Sequence, residues 1–527
     1  MRTRFTFAWL VVTLLAALAV IVPECSRGSS PENVRQAGVA GAFYPADSKA
    51  LTTMIDDMLA HTTTPNITDP IIAVIAPHAG YPYSGPVAAY TYSALKGRKY
   101  SRVVVIAPSH YEAFDFTSVF DGDAYATPLG NAVVDKTFAL QLAKMDPSIK
   151  LSSRGHTPTS QGAEHAIEVE LPWLQRVLGN FQLVPIVMGD QSYESSRALG
   201  VALAKMIHGS DTLILASSDL SHYHTYDEAG AEDHKTLAAL QDWDYFSMSR
   251  NFAMRVWEAC GGAPIVAAMI AAERMGANQA ELLKYANSGD TTGDHSRVVG
   301  YSAVLLLKTQ SQRSAEQPFS LSSPDKDELL TLARKSVEQA VRTGKPYEVP
   351  ASSSTTLNQE RGAFVTLAKA GQLRGCVGYT SASKPLYVTV RDTATLAALR
   401  DSRFRPVTAS ELGMLEYEIS VLSPLRRVID VRQIKVGQDG LLMKNGDYEG
   451  LLLPQVPTEE GWDRQKFLEQ TCIKAGMQTN CWKDENTDIF MFTAVVFGEP
   501  KVPPPQPPLA PGSASRPGQP APGLSPR

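Results

Sequence analysis

The chain has 527 residues, of which 44% are hydrophobic and 20% are charged, and its net charge is −5. This length exceeds what one hydrophobic core usually supports, so we expect two or three domains. The charge is not that of a nucleic-acid-binding protein, and we expect no nucleic-acid partner. Five cysteines, Cys25, Cys260, Cys376, Cys472 and Cys481, are too scattered for a disulfide scaffold. Cys472 and Cys481 could pair, but their spacing alone leaves this open.

The N-terminal segment has the pattern of an export signal. Arg2 and Arg4 precede an uncharged, mostly apolar run over residues 5–22. The run is at the short end of what spans a bilayer, and Ala17 and Ala19 form a weak cleavage pattern. We therefore expect a signal peptide or membrane anchor over residues 1–33. The protein would then be exported or membrane-anchored, with membrane contact through this segment, and it would be cytoplasmic if the segment is misread.

Four short, β-branched and almost wholly apolar runs predict strands that are buried on both faces of a sheet. They occupy residues 71–76, 102–107, 183–188 and 212–217. Segments with helical spacing of apolar residues lie between them, which predicts an α/β layered domain over residues 34–308. We expect this domain to close with a strand near residues 298–307. Pro172 lies inside one helical segment and predicts a kink or a helix restart there.

The pattern changes after this domain. A new helix is predicted with Ser323 as its cap and Gly344 as its stop. Hairpins are predicted over residues 362–377 and 440–453. We thus expect a polar linker at residues 309–323, an α+β domain at residues 324–499, and a disordered proline-rich tail at residues 500–527.

Polar residues follow three of the predicted strands at the point where each strand ends. His78 and His110 follow the first two runs, and Asp219 and His222 follow the run at residues 212–217. The carboxyl ends of strands in open α/β sheets face the ligand crevice, so these side chains should meet there. A lone histidine is usually a satisfied core or surface residue, but the coincidence at three strand ends favours a site.

Three further residues are candidates for the same crevice. His165 and Glu168 are three residues apart, which predicts that they share one helical face. That face either lines the rim of the crevice or is simply solvated. Cys260 precedes Gly261 in a loop before a predicted helix over residues 265–274. Thiols at helix starts tend toward the thiolate, and the alternative is a small buried apolar residue.

Five segments resemble the Memo family, in the order in which that family has them. They are APHAGYPYSG (76–85), APSHY (107–111), AEHAIEVELPWL (163–174), SSDLSHY (217–223) and EACGGAPI (258–265). Memo proteins resemble class III extradiol dioxygenases in fold, and the resemblance implies a metal pocket formed by two histidines and a cysteine. In this chain it implies His78, His110 and Cys260 as ligands, with Asp219 and His222 beside the pocket.

The implied ligand set would leave coordination positions open. It suits iron(II) or copper, with zinc as a further candidate, better than magnesium or calcium. A metal-dependent, dioxygenase-like oxidoreductase acting on a small molecule would use His222 as its general acid or base. Asp219, His165 and Glu168 are the other catalytic candidates. A thiolate in place of the usual carboxylate favours Cu(I), so a non-catalytic copper- or iron-binding scaffold remains the alternative. Zinc-assisted hydrolysis ranks third, because no H-E-x-x-H motif is present.

Segments of the second domain resemble the AMMECR family. They are LRGCVGY (373–379), DSRFRPV (401–407), EYEISVLSP (416–424), LLPQVPTEEGWD (452–463) and KAGM (474–477). The resemblance makes four residues site candidates: Arg374, Gly375, Cys376 and Gly378. The alternative is a hairpin whose glycines and cysteine serve packing, and we favour it because no general base or metal set lies nearby in the sequence.

The pairing of these two families is the pattern of a predicted system, AmmeMemoRadiSam. In the scaffold alternative, the AMMECR domain would recruit a partner. The resemblance implies a radical SAM protein as that partner. This chain has no C-x3-C-x2-C motif, so it cannot hold such a cluster itself by that motif. Export of this chain would conflict with a cytoplasmic partner of this kind.

Overall fold

The computed structural model describes residues 33–310 and 319–499. Within these residues the first domain is built on a nine-stranded sheet and a small three-stranded sheet, and the second domain on a seven-stranded sheet. The α/β class of the first domain and the α+β class of the second are as predicted from the sequence. The predicted proline-rich tail and most of the predicted linker lie outside the described residues.

The first domain alternates strands and helices. Its strands are β1 (Val34–Arg35), β2 (Ile71–Ala76), β3 (Arg102–Pro108), β4 (Thr117–Val119), β5 (Ala124–Thr127), β6 (Gly130–Val133), β7 (Ile149–Leu151), β8 (Gln182–Met188), β9 (Thr212–Ser217), β10 (His222–His224), β11 (Gln279–Asn287) and β12 (Val298–Leu307). Its helices are α1 (Ser48–Ala60), α2 (Tyr81–Leu95), α3 (Lys136–Leu142), α4 (Leu171–Leu178), α5 (Tyr193–Met206), α6 (Tyr226–Gln241), α7 (Tyr245–Ala253), α8 (Gly262–Arg274) and α9 (Ser288–Thr292).

The four predicted buried strands form the centre of the large sheet. They lie side by side in the order β2, β9, β3, β8, and each neighbouring pair is parallel. Every residue of β2 and of β9 is buried, because helices cover both faces of the sheet. The last strand, β12, pairs antiparallel with β2 and closes the domain as predicted. The carboxyl ends of β2, β9 and β3 therefore lie next to one another at one edge.

The helix predicted around Pro172 begins later than the apolar spacing indicates. Residues Glu168–Glu170 form a short 3-10 turn, and α4 starts at Leu171 with Pro172 in its first turn. Proline is tolerated there because the first turn of a helix has no partner for its backbone N–H groups. The predicted restart at Pro172 is thus observed, and His165 precedes the turn.

The second domain has seven strands, which are β13 (Ala363–Lys369), β14 (Gln372–Tyr379), β15 (Leu415–Leu422), β16 (Arg426–Arg427), β17 (Asp439–Asn445), β18 (Tyr448–Leu452) and β19 (Asp488–Gly498). Its helices are α10 (Ser323–Thr343), α11 (Leu386–Leu399), α12 (Val456–Glu459) and α13 (Arg464–Lys474). All of its strand pairings are antiparallel.

The helix and the hairpins predicted for the second domain are present, and only the cap of the helix differs, by one residue. Ser322, not Ser323, caps α10, and Gly344 ends it in the left-handed conformation at φ 71°. Both predicted hairpins are present, and the second turns at Gly446. Cys472 and Cys481, whose pairing the spacing left open, form a disulfide.

The expected membrane segment gains no support. Across residues 33–310 and 319–499, no helix is long and apolar enough to cross a membrane. The stretch predicted as a signal peptide or anchor, residues 1–33, lies outside the described residues except for Asn33. The described residues thus give no support to the predicted signal peptide and membrane contact.

Candidate metal centre

Three neighbouring strands bring the predicted polar residues together. His78 follows β2, His110 follows β3 and Asp219 follows β9. The ring centroids of His78 and His110 are 5.1 Å apart, and Nε2 of His78 lies 4.0 Å from Oδ2 of Asp219. The convergence predicted for the carboxyl edge of the sheet is therefore observed.

His78 is the most firmly held of these side chains. Its Nδ1 lies 2.8 Å from Oγ of Ser217, and its backbone N–H donates to Oδ1 of Asp219 over 2.8 Å. Burial lowers the pKa of His78 well below its usual value, so the ring is neutral near pH 7. The Ser217 hydroxyl donates to the Ala166 carbonyl and the Glu170 carboxyl group, so it accepts from Nδ1 of His78. Nε2 of His78 then has the lone pair, and this atom lies 3.0 Å from Sγ of Cys260. A histidine oriented in this way is typical of metal ligands.

His110 is oriented by Glu164, a residue that the sequence analysis missed. Nδ1 of His110 lies 2.9 Å from Oε1 of Glu164, and the backbone N–H of His110 donates to Oε2 over 2.6 Å. Burial lowers the pKa of His110, but the hydrogen bond and the charge of Glu164 outweigh burial and raise it. Burial likewise opposes ionisation of Glu164, but the contacts with His110 lower its pKa to about 2. The segment AEHAIEVELPWL contained Glu164, but no spacing rule singled it out.

His165, predicted to line the crevice, lies with the imidazoles. Its ring stacks on that of His110 with centroids 4.8 Å apart and an interplanar angle of 15°. Burial, followed by the charges of His78 and His110, lowers the pKa of His165 to about 3. Its Nδ1 is buried and has no hydrogen-bond partner among the described residues. A buried imidazole nitrogen without a partner costs free energy unless something binds it.

The candidate ligands fall into two overlapping groups that share His78. His78, His110 and His165 form one group, and His78, Asp219 and Cys260 form the other. In each group one donor atom per residue lies within 4.8 Å of the others. The set implied by the family resemblance, His78 with His110 and Cys260, is therefore divided between the two groups.

Cys260 is held against the end of β9. Its Sγ accepts from the backbone N–H of Asp219 over 3.3 Å. A Cβ on the following Gly261 would lie 2.3 Å from the Ser217 carbonyl oxygen, so only glycine permits this approach. Burial, followed by the charge of Asp219, raises the pKa of Cys260 above its usual range. The predicted tendency toward thiolate is thus absent without a cation, although a bound metal would favour deprotonation.

Asp219 and His222 complete the edge as predicted. Burial raises the pKa of Asp219 to about 6. Nδ1 of His222 lies 2.8 Å from the Leu220 carbonyl oxygen, so Nδ1 is the ring nitrogen that donates there. Both residues line the same cavity as His78, so His222 can reach a molecule bound there.

The cavity in front of the imidazoles has a volume of about 720 Å³. This is within the range of ~300–1,000 Å³ that is usual for small-molecule sites. Besides the three imidazoles and Asp219, its walls are mainly aromatic and polar. The aromatic residues are Phe43, Tyr83, Tyr111, Tyr223 and Tyr301.

Glu168 does not belong to this cavity, which corrects the prediction that it shares a helical face with His165. The 3-10 turn that starts at Glu168 points its carboxylate into the interior, where it forms a buried ion pair with Arg35. The carboxylate also accepts from the Tyr44 hydroxyl over 2.6 Å and from two backbone N–H groups. Glu168 therefore has a structural role.

Glu170 was also missed, and it lies behind His78. It is fully buried and accepts hydrogen bonds from the hydroxyls of Ser217 and Tyr92. Burial raises the pKa of Glu170 to about 8. Since Ser217 contacts His78 as well, a chain of hydrogen bonds runs from His78 at the cavity through Ser217 to Glu170 in the core. With its raised pKa, the Glu170 carboxyl group is mostly protonated near pH 7.

In the second domain, the candidate polar contacts are satisfied within the fold. Nε and Nη2 of Arg374 contact the Glu411 carboxylate at 3.0 and 3.1 Å. The backbone N–H of Cys376 donates to Asp401 over 2.8 Å. Burial raises the pKa of Cys376, so this thiol is a poor nucleophile.

The two candidate glycines of that hairpin serve packing. A Cβ on Gly375 would lie 2.2 Å from the Ala397 carbonyl oxygen, and one on Gly378 would lie 2.2 Å from the ring of Phe364. Contacts this short leave no room for any side chain. Together with the satisfied polar groups, they favour the packing interpretation of this stretch over a ligand site.

This packing can be tested by adding one methyl group. We expect Gly375→Ala to destabilise the second domain by about 1–3 kcal/mol, the usual cost of overpacking against rigid backbone. Gly413→Ala is the matched control, because a Cβ there meets nothing within 4 Å. Urea unfolding followed by circular dichroism measures both. Equal effects of the two substitutions would contradict the packing role.

The pair formed by His110 and Glu164 gives a pH-dependent prediction for the metal-free protein. The pKa of Glu164 is lowered from 4.5 to about 2, so its stabilisation is present above pH 4.5 and is lost as the pH falls toward 2. The pKa of His110 is raised from 6.5, so its stabilisation is present below pH 6.5 and is lost as the pH rises through the raised value. We expect Glu164→Gln to be most destabilising, relative to wild type, between pH 4.5 and pH 6.5, where both stabilising contributions are present. Urea unfolding at several pH values checks this, and a difference that does not vary with pH would contradict it.

Comparison with known proteins identifies two regions of the chain. Residues 35–305 match the family model described as Memo-like protein, and residues 330–497 match AMMECR1. The MEMO1 family protein MK0963 of Methanopyrus kandleri is 36% identical over 285 residues, which cover 52% of this chain and 99% of that protein. The MEMO1 family protein MTH_45 of Methanothermobacter thermautotrophicus is also 36% identical, over 278 residues that cover 51% of this chain and 98% of that protein.

Two further similarities cover about a third of the chain. Protein NEQ441 of Nanoarchaeum equitans is 42% identical over 178 residues, which are 32% of this chain and 98% of that protein. The crystal structure of the uncharacterized protein PH0010 from Pyrococcus horikoshii covers 34% of this chain and 94% of its own, with 40% identity and a TM-score of 0.34.

Proposed function

The chain belongs to the Memo family and carries an AMMECR1 domain after its Memo domain, and from this premise we propose that the Memo domain binds iron(II) or copper through His78, His110 and Cys260. The observation that carries the proposal is the approach of Nε2 of His78, a residue of the cavity wall, to Sγ of Cys260, which lies 3.0 Å away behind that wall. Each of these two atoms has a lone pair to offer a cation once the thiol is deprotonated.

The donor set fits a transition metal better than a hard cation. Imidazole nitrogen and thiolate sulfur are ligands for iron, copper and zinc, whereas magnesium and calcium need oxygen. His165, which forms a group with His78 and His110, is a further candidate ligand, and its Nδ1 has no hydrogen-bond partner among the described residues. Glu164 and Ser217 hold the rings of His110 and His78 in fixed orientations, as residues behind metal ligands commonly do.

For catalysis we propose a dioxygenase-like oxidation of a small organic molecule. The metal would supply Lewis acidity and redox chemistry. The cavity walls would pack the organic molecule through Tyr83, Tyr111 and Phe43. His222 would accept or donate a proton at Nε2, since its Nδ1 is held by the Leu220 carbonyl.

A second candidate is a scaffold that binds copper or iron without turnover. It is favoured by Cys260, because a soft thiolate replaces the carboxylate expected in non-haem oxygenases and prefers Cu(I). In this case the AMMECR1 domain would recruit a partner protein, for which a radical SAM protein is our proposal. In the hairpin around Cys376, the backbone N–H of Cys376 is hydrogen-bonded within the fold and burial raises the pKa of the thiol. The hairpin therefore favours a binding role for this domain over a catalytic one.

Metal content and oxygen uptake separate the two candidates. The full chain is purified without oxygen, its metals are measured by elemental analysis, and it is loaded with iron(II) or Cu(I). Oxygen consumption is then followed as the part that depends on an added small phenol, which is the organic molecule oxidised. The oxidoreductase predicts bound iron and uptake of oxygen that falls on His222→Gln. The scaffold predicts tightly bound copper and no uptake. Absence of any stoichiometric transition metal, both as purified and after loading, would contradict both.

A further inference from the structure

The two domains share one continuous apolar core. Phe490 of β19 packs against Phe246 of α7 with ring centroids 5.0 Å apart. Phe490 and Phe492 of the second domain belong to the same buried cluster as the apolar residues of α8. A shared core of this kind fixes the relative position of the elements that form it, because close-packed interiors transmit displacement.

A buried carboxylate ties the end of α8 to the second domain. Asp488, at the start of β19, accepts from the Tyr193 hydroxyl over 2.9 Å, from Nε of Arg197 over 2.6 Å and from Nη2 of Arg274 over 3.1 Å. Its side chain is only 3% exposed. Next to Arg274, Glu273 pairs with Arg427 of β16 over 2.9 Å. The last two residues of α8 are thus both bound by charged groups of the other domain.

A second tie lies on the other side of Cys260. The Asn251 side chain donates to the Ala382 carbonyl oxygen of the second domain over 3.1 Å. The backbone carbonyl of Asn251 accepts from Val256 over 2.9 Å and from Trp257 over 3.3 Å. These bonds set the start of the short segment that leads to Cys260. The cysteine segment is therefore held at both ends by elements that are docked on the AMMECR1 domain.

From these contacts we infer that the AMMECR1 domain positions Cys260, and that Asp488 is a positioning residue for the metal centre. Helix α8 follows Cys260 after one residue, and its 13 residues are about 20 Å long. The helix thus connects Cys260 at the metal centre to Arg274, which contacts Asp488. The helix is buried along almost its whole length, so a shift at Arg274 cannot be absorbed by bending into solvent. This inference rests on the proposed metal-binding function and adds a role for the second domain in it.

The test uses cobalt(II) as the probe, because a thiolate ligand gives cobalt a characteristic charge-transfer absorption. We expect Asp488→Asn to weaken cobalt affinity by roughly 2- to 30-fold, the range for residues that act on a site from a distance, and to reduce the thiolate band. Glu485→Gln is the matched control. Glu485 bridges the same two domains through Lys205, but on the exposed surface, so its substitution should leave affinity and spectrum unchanged.

Tyr193→Phe is the second variant, and it keeps the test decisive if Asp488→Asn does not fold. It removes one hydrogen bond to Asp488 without leaving a buried charge unpaired, and we expect a smaller change in the same direction. If wild type shows no band that depends on Cys260, the proposed function fails, and this inference fails with it. If wild type shows that band and folded Asp488→Asn or Tyr193→Phe matches Glu485→Gln in affinity and spectrum, the positioning role alone is overturned.

Discussion

His78→Ala is expected to abolish metal binding in the Memo domain, with a loss of affinity well beyond the ~10–100-fold that follows removal of residues behind a ligand. The reason is that His78 belongs to both groups of donor atoms found among residues 33–310 and 319–499, so neither group stays complete without it. Its ring is also fixed from behind by Ser217, which gives it the best-defined lone pair of the site. Elemental analysis and competition titration of the anaerobically purified full chain measure the effect.

The control for this loss is His61→Ala. His61 is an exposed histidine at the end of α1, where its Nδ1 contacts the Asp57 carbonyl oxygen, and it should bind no metal of consequence. Circular dichroism shows whether each variant is folded. Retention of full metal content by folded His78→Ala would mean that the metal is bound elsewhere in the chain.

Glu168→Ala is expected to destabilise the Memo domain by about 3–5 kcal/mol, the usual cost of breaking a buried ion pair by removing one partner. The substitution leaves the Arg35 guanidinium buried without its carboxylate and removes the acceptor of the Tyr44 hydroxyl. Two backbone N–H groups, those of Gly38 and Val39, lose their acceptor as well. Equilibrium urea unfolding measures the change in the free energy of unfolding.

The comparison variant is Asp56→Ala, which breaks the exposed ion pair between Asp56 and Arg176. A surface pair contributes only about 0–1 kcal/mol, so this variant should stay close to wild type. Because Glu168 lies outside the cavity, the folded fraction of Glu168→Ala should bind metal as wild type does. Normal stability combined with lost metal binding would instead place Glu168 in the site.

The sheet could be predicted from sequence because its central strands are buried on both faces. Continuous apolar runs such as residues 71–76 and 212–217 leave no other stable environment for those segments. The polar residues that follow them meet at one edge because parallel strands share their direction. The second hairpin was predicted from the pair Asn445 and Gly446, but its two-residue turn is Gly446 and Asp447, because Asn445 is the last residue of β17 and pairs with Tyr448.

The residues of the site that the sequence analysis missed are placed by contacts between distant parts of the chain, which no local sequence pattern predicts. Glu164 orients His110 across 54 positions of the chain, and the buried Glu170 contacts His78 indirectly, through Ser217, 47 positions away. The predicted position of Glu168 beside His165 was wrong because Glu168 lies in a 3-10 turn and not in an α-helix. The tighter turn changes the direction of the Glu168 side chain relative to that of His165. The interior tie at Asp488 likewise requires both domains to be folded against each other.

The most direct test of the metal centre is an anaerobic copper(I) competition titration of wild type, Cys260→Ser and His165→Ala. If the thiol and the ring of His78 bind the metal together, Cys260→Ser should lose more than the ~10–100-fold typical of supporting residues, while His165→Ala should lose less. Copper affinity that is unchanged in Cys260→Ser and abolished in His165→Ala would place the metal on the three imidazoles alone. That result would contradict the ligand set proposed for this protein.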